Sequence, residues 1–365
     1  MPLSERISGF KTTIYLTRVS PEAEIRGKSL VFGKKPRLRR QPLASLRQVV
    51  FLGIPRCEGR LLYELLKLDI PVFFMSAMGK PMGGIIPHGC EPRPLWRAQE
   101  RFDDDTRARF ALAKSIVGAK VANAGRLLRS YGIDQPCLPE GLVAVPDGDW
   151  NVLRGYEGAA ARRFFEGLSS LVLPFKFSGR VPRFAPDPVN AMLSLGYSLL
   201  YQRLAAALQR VGLHSGMGFY HCGRGSHQAL SSDLMEDLRC LVDKYVLRLL
   251  EQKSLTPENF TMRGSQSFFR TGEAFAIFLN GFEAMAGKPF IAPVERAGLS
   301  AGRRVSLNEW LDLTAEAYAA MLCSGKQFAP FRLEASGRKS WSHETGSGVV
   351  EPAGFSGEAV TEATG

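Results

Sequence analysis

The chain has 365 residues, 45% of them apolar, and carries 47 Lys+Arg against 35 Asp+Glu, a formal net charge of +12. That length allows two domains with sizeable cores at roughly 100–200 residues each. No apolar run approaches the ~20 residues of a membrane span, and the charge balance points to a polyanionic partner, nucleic acid before an anionic membrane surface. A basic housekeeping enzyme is the plain alternative. The opening "MPLSERISGFKTTIYLTRVS" lacks the basic, apolar and cleavage regions of a signal peptide. Cys57, Cys90, Cys137, Cys222, Cys240 and Cys323 are scattered, with no CxxC pair. Reduced thiols, a cytoplasmic location and no membrane partner are therefore expected.

In chain order, residues 1–90 read as a β-rich domain: "KTTIYLT", "SLVF", "VVFLGI" and "IPVFFMS" are short β-branched or aromatic runs. "RCEGRLLYELLKLD" between the last two reads as a short helix. Residues 26–40, "RGKSLVFGKKPRLRR", hold seven basic residues and no acid. Lys34, Lys35 and Arg37 are taken there as DNA contacts, against the plain reading of an edge strand guarded by charge. Residues 91–105, from "EPRPLWRAQERFD", read as a linker.

Helical periodicity follows, and residues 106–335 are predicted to be an all-helical catalytic domain. "RFALAKSIVGAKVANAGRLLRS" (109–130) repeats apolar residues at steps of three and four, with Lys114, Lys120, Arg126 and Arg129 off the stripe. "YEGAAARRFFEGLSSLV" (156–172) is a second helix and "DLMEDLRCLVDKYVLRLLEQ" (233–252) another. "DPVNAMLSLGYSLLYQRLAAALQRVG" (187–212) lies between them, with Asp187 as N-cap and Pro188 at the first helical position. From residue 336 to 365 apolar runs stop, and a disordered tail is expected.

"GFYHCGRGSHQALSSDLMEDLR" (218–239) concentrates two histidines and three carboxylates. Asp233 and Glu236, three apart on a helix, share a face with their Cβ atoms about 5–6 Å apart. Such a pair suits Mg²⁺ or Mn²⁺, and His221 bending back onto it would favour Mn²⁺. The same Asp-x-x-Glu also spells a capping box, and on these residues alone the cap competes with the metal. His227 is a further candidate ligand, while Asp237 is read as facing solvent. Glu157 opens the helix of "EGAAARRFF", as a ligand or as a first-turn glutamate favoured by the helix dipole. Arg180 and Arg183 in "SGRVPRFAPDP" form a loop pair that can clamp phosphate.

Four blocks in order resemble one family, the first-numbered CRISPR-associated protein, the integrase/endonuclease of spacer acquisition. "PLASLRQVVFLGIPRCEGRLLYELLKLDIPVFFMSAMGKPMGGIIP" (42–87) resembles its β-domain, with Asp69 in place of the usual glycine. "LAKSIVGAKVANAGRLL" (112–128) is similar to its "AR-IV-AKI-NQ" helix. "EGAAARRFF" with "SGRVPRFAPDPVNAMLSLGYSLLY" matches its third block, and "GFYH…SSDLMEDLR" matches "GFLH…ALDLMEPFR". "TMRGSQSFFRTGEAFAIFLNGFEAM" (261–285) fits a later helical region loosely.

The resemblance implies an α+β fold, a small β-rich domain before a larger helical one. It implies that Glu157, His221 and Glu236 are catalytic and bind a divalent metal, Mg²⁺ or Mn²⁺, with Asp233 as supporting carboxylate. Lys34, Lys35, Arg37, Lys120, Arg180 and Arg183 would contact double-stranded DNA. It further implies a homodimer flanking a small second-numbered CRISPR-associated partner, and strand transfer by a DNA 3′-hydroxyl. A catalytically silent DNA-binding scaffold of the same fold, and a metal hydrolase of small phosphodiesters, are the rival readings.

Overall fold

The computed structural model describes residues 12–334 except 18–21, 35, 55–56, 77–78, 86, 88–92, 135–139, 183 and 222–227. In chain order the first part forms β1 (Thr12–Thr17), β2 (Glu22–Arg26), β3 (Ser29–Lys34), β4 (Arg37–Pro42), β5 (Leu46–Leu52), α1 (Gly59–Lys67), β6 (Val72–Met75) and β7 (Pro81–Ile85). The rest forms α2 (Arg93–Asp104), α3 (Thr106–Ser130), α4 (Trp150–Leu171), α5 (Pro188–Val211), α6 (Ala229–Leu234), α7 (Arg239–Glu251), β8 (Phe260–Arg263), β9 (Gln266–Phe269), α8 (Gly272–Gly287), β10 (Phe290–Ile291), β11 (Arg304–Val305) and α9 (Leu307–Ser324). The fold is α+β, strand-rich at the start and helical after it. None of the described helices is long and apolar enough to cross a membrane.

Two compact units result among the described residues, the first taking those up to Gly89 plus Phe269–Gly287, the second those of Cys90–Phe268 and from Lys288 to residue 334. In the first unit the strands run β1-β5-β6-β7 in one sheet and β2-β3-β4 in a second, antiparallel one. β5 pairs in parallel with β1 and β6 and is buried along its whole length. A strand covered on both faces carries a continuous apolar run, and "VVFL" is one. Ile14, Leu16, Leu30, Phe32, Val49, Phe51, Leu61 and Leu65 join both sheets and α1 in one apolar core. α1 closes with the Ile70 N–H on the Leu65 carbonyl (2.9 Å) and the Asp69 N–H on that of Leu66 (3.0 Å). That turn needs a left-handed residue at its end, and Asp69 takes it at φ +57°. This is the position where the resembling motif has glycine.

In the second unit α5 is the central helix. Leu193, Leu200, Leu204 and Leu208 along it are fully buried, as are Trp310 and Leu311 on α9, one of its neighbours. Asp187 caps α5 by accepting from the Asn190 N–H (2.8 Å), with Pro188 next, as the sequence predicts. Four expectations are corrected. Residues 91–105 are not a linker but hold α2: Pro94 sits in its first turn, where a missing N–H is harmless. Trp96 Nε1 donates to the Gly212 carbonyl (3.0 Å), and Gln99 bonds His214 both ways, so tertiary contacts hold the helix. The region after residue 105 is not purely helical, since β8–β9 and β10–β11 are short hairpins. α8 belongs to the first unit, where Tyr15 Oη donates to Glu283 Oε1 at 2.7 Å. The helix expected over 233–252 is broken into α6, a tight turn at Glu236–Leu238 and α7. The expected tail, residues 336–365, lies outside the described residues.

Candidate active site

α4 begins at Trp150, capped by Asp149, whose Oδ1 accepts from the Asn151 and Val152 N–H groups at 3.1 and 3.0 Å. Glu157 therefore stands two turns inside the helix and is not a first-turn glutamate. Asp233 is likewise no cap: it lies inside α6, which starts after Gln228 without a side-chain cap bond. Its carboxylate instead gathers a loop. Oδ2 accepts from the Phe219 and Tyr220 N–H groups (2.6 and 2.9 Å), and Oδ1 accepts from the His221 N–H (2.9 Å). Gly218 makes this wrapping possible, since a Cβ there would meet Asp233 Oδ2 at 2.7 Å and Ala229 Cβ at 2.6 Å.

The break between α6 and α7 turns Glu236 inward, where it is 2% exposed. Its Oε1 is 2.8 Å from Arg239 Nη2 and its Oε2 is 2.7 Å from Lys120 Nζ on α3. Lys120 also donates to Glu157 Oε1, and Tyr220 Oη donates to Glu157 Oε2 at 2.6 Å. One ammonium thus bridges glutamates seventy-nine residues apart in sequence. His221 Nδ1 lies 2.6 Å from Asp233 Oδ1. Asp237, expected to face solvent, is buried and accepts the Phe331 N–H on Oδ2 at 2.6 Å.

The electrostatics follow from this crowding. Burial pushes the Glu236 carboxyl up, but Arg239, Lys120 and His221 outweigh it and hold it near 2. Burial pulls the Lys120 ammonium down, and the Glu236 and Glu157 charges more than restore it. Burial likewise lowers the His221 imidazolium, yet its bond to Asp233 and the charges of Glu236, Asp233 and Glu157 leave it raised. The His221 imidazole thus responds to all three carboxylates. Behind them, burial raises Asp243 to about 7, against the hydrogen bond it accepts from Tyr197. Arg239 lies over the Tyr197 ring at 4.8 Å, so this buried layer backs Glu236.

The donor set suits a hard divalent ion. It offers two carboxylates and an imidazole whose Nδ1 is committed to Asp233, which leaves Nε2 for a ligand. Glu236 Oε2 is 2.7 Å from Lys120 Nζ, so a cation held there would take the place of the ammonium. Among the described residues no three His, Cys, Asp or Glu side chains already form a cage, and Lys120 stands between the two glutamates.

The basic residues divide. Lys120, expected on DNA, is inside the carboxylate cluster because the buried Glu236 and the half-buried Glu157 need compensation. Arg180 turns inward: Nη1 donates to Asn190 Oδ1 (2.8 Å) and to the Val181 carbonyl (2.6 Å), and the guanidinium lies 5.6 Å from the Tyr197 ring centre. Lys34 and Arg37 pair across the β3–β4 turn. Lys35, Arg183 and His227 lie outside the described residues. Sequence reasoning did not single out Tyr220 or Arg239; the Tyr in "GFYH" and the basic residue three after Glu236 were the available signals.

Residues 14–284 match the family described as CRISPR associated protein Cas1. The CRISPR-associated endonuclease Cas1 1 of Thermus thermophilus is 30% identical over 330 residues, covering 88% of this chain and 99% of that protein. A solved casposase bound to integration product shares the fold at a TM-score of 0.78 and 21% identity, over 90% of this chain and 96% of that one. A Cas6-RT-Cas1–Cas2 complex contains a chain matched at a TM-score of 0.71 and 22% identity, over 88% of this chain and 36% of that one. With the family matched over most of its length and its motifs converging on one cluster, this chain belongs to the Cas1 family.

Proposed function

We propose that this chain is a metal-dependent DNA endonuclease and integrase that inserts short duplex DNA into a CRISPR array. The observation that carries the reading is the cluster in which Lys120 joins Glu157 to Glu236 beside His221 and Asp233. Glu157, Glu236 and His221 would hold Mg²⁺ or Mn²⁺. When bound, that ion lowers the pKa of an attacking hydroxyl and offsets charge on the phosphate. In strand transfer the 3′-hydroxyl oxygen forms a new P–O bond and loses its proton. The old P–O3′ bond breaks, and the departing oxygen gains a proton. With water as nucleophile the same exchange is hydrolysis.

The chain's own groups prepare this. Asp233 fixes the ring orientation of His221, Arg239 orients the Glu236 carboxylate, and Lys120 with Arg239 keeps Glu236 ionised. The partners in this reading are double-stranded DNA, a second copy of the chain and the small second-numbered CRISPR-associated protein. The structural relatives, a casposase bound to integration product and a Cas6-RT-Cas1–Cas2 complex, support the DNA and the small protein partner of this reading.

Glu157→Ala, His221→Ala and Glu236→Ala should each abolish Mn²⁺-dependent integration and leave the helical circular dichroism nearly unchanged; full integration by all three refutes the reading. DNA affinity should fall steeply with salt as phosphate contacts release counterions, and a flat log K against log salt plot contradicts the DNA partner. A second reading, a silent DNA-binding scaffold, draws on Lys120, which already places one positive charge between the glutamates. Mn²⁺-dependent cleavage of branched DNA by the wild type excludes it.

A further inference from the structure

Where the family block reads "GFLH", this chain reads "GFYH", so Tyr220 puts a phenol where the pattern has an aliphatic side chain. The residue is 4% exposed and touches Asp233, Glu157 and His221 of the site. Its backbone N–H donates to Asp233 Oδ2 at 2.9 Å and its hydroxyl donates to Glu157 Oε2 at 2.6 Å. Its ring stacks on Trp150 (6.2 Å between centres, 27° between planes) and meets His221 at 4.9 Å. The Arg154 guanidinium lies 5.9 Å from the ring centre. Trp150, Arg154 and Glu157 follow one face of α4, at steps of four and three. That face holds the ring while Asp233 holds the backbone, so the hydroxyl is aimed and cannot wander.

We propose that Tyr220 is a positioning residue: by binding Oε2 it fixes the Glu157 carboxylate so that Oε1 is presented to the cation position now bridged by Lys120. The inference rests on the metal-binding reading above. A second hydrogen-bonded partner of a ligand carboxylate orients it and removes rotamer freedom that binding would otherwise have to quench.

The test uses the full chain and Mn²⁺ alone, with free Mn²⁺ followed by electron paramagnetic resonance. Tyr220→Phe keeps the ring and its packing, and Tyr220→Leu restores the residue of the family pattern. Both should bind Mn²⁺ about 10–100-fold more weakly than wild type, the range for lost outer partners of metal ligands. Tyr220→Phe should melt within a few degrees of wild type, and its integration rate should recover at saturating Mn²⁺, because only affinity is impaired. Unchanged Mn²⁺ affinity in Tyr220→Phe overturns the proposal, and so does weakening confined to Tyr220→Leu, which would assign the effect to packing. A wild type that binds no Mn²⁺ removable by Glu157→Ala overturns the metal-binding reading itself, and this inference with it.

Discussion

The two units bury different things. The first is held by aliphatic and aromatic side chains: Val49, Leu65 and Val72 are fully buried between two sheets and α1. The second buries Asp187, Arg203, Asp233, Glu236, Asp237, Asp243 and Arg296, while among the described residues of the first only Arg47 is a buried Asp, Glu, Lys or Arg. Apolar burial stabilises at roughly 25 cal/mol per Å² and asks for no partner. Buried charge is costly unless paired, and well-packed apolar residues of the same volume are often as stable or more so. Of the second unit's buried charges, Asp233 and Glu236 lie in the site cluster with Asp243 behind it, and apolar residues could replace them only by giving up the site. The contrast separates a part shaped for stability from a part shaped for chemistry.

Removing Asp233 should break that contrast most severely. Asp233→Ala strands three backbone N–H donors that share its carboxylate, each costing about 1–3 kcal/mol when left buried and unpaired. A loss of about 3 kcal/mol or more in urea unfolding is expected, together with loss of Mn²⁺ binding. A loss below about 1 kcal/mol would mean that the loop is held by something else.

Leu65→Ala should cost about 2–5 kcal/mol, as in other buried Leu→Ala cavities, with Mn²⁺ affinity unaltered. Weakened Mn²⁺ binding in this variant, measured on folded protein, would erase the separation of roles.

Protons give a subtler test. Asp243 has a folded pKa of about 7 against an ordinary 3.8. Between those values the unfolded chain has released the proton that the fold retains, so stability falls as pH rises from about 4 to about 7 and then levels. Asp243→Asn should flatten the decline by about 1–2 kcal/mol between pH 5 and 7. Parallel stability curves for the two proteins would show that Asp243 titrates normally.

The smallest effect belongs to the first unit. Asp69 sits in the left-handed region at φ +57°, where glycine fits without strain but costs more unfolded-chain entropy. Asp69→Gly should raise stability by less than about 1 kcal/mol, and a clear loss would show that the aspartate side chain stabilises the turn.

Much of this was legible in the residues. The apolar run of β5 and the Asp187–Pro188 start of α5 both read correctly from spacing and side-chain type. What could not be read was tertiary. α2 looked like a linker because two prolines and many charges hide a helix whose anchors, Gly212 and His214, come more than a hundred residues later. Asp233-x-x-Glu236 spells a cap, but the chain kinks between α6 and α7, and the aspartate spends its oxygens on a preceding loop. Lys120 and Arg180 carry charges that suggest a surface. Only the folded chain shows that each has found partners inside, Lys120 between two glutamates and Arg180 on Asn190.

The most direct measurement is anomalous diffraction from a crystal grown with Mn²⁺. A peak within bonding distance of Glu157, Glu236 and His221 Nε2, with the Lys120 ammonium moved aside, is the predicted result. No peak there, with Lys120 still joining the two glutamates, would contradict it.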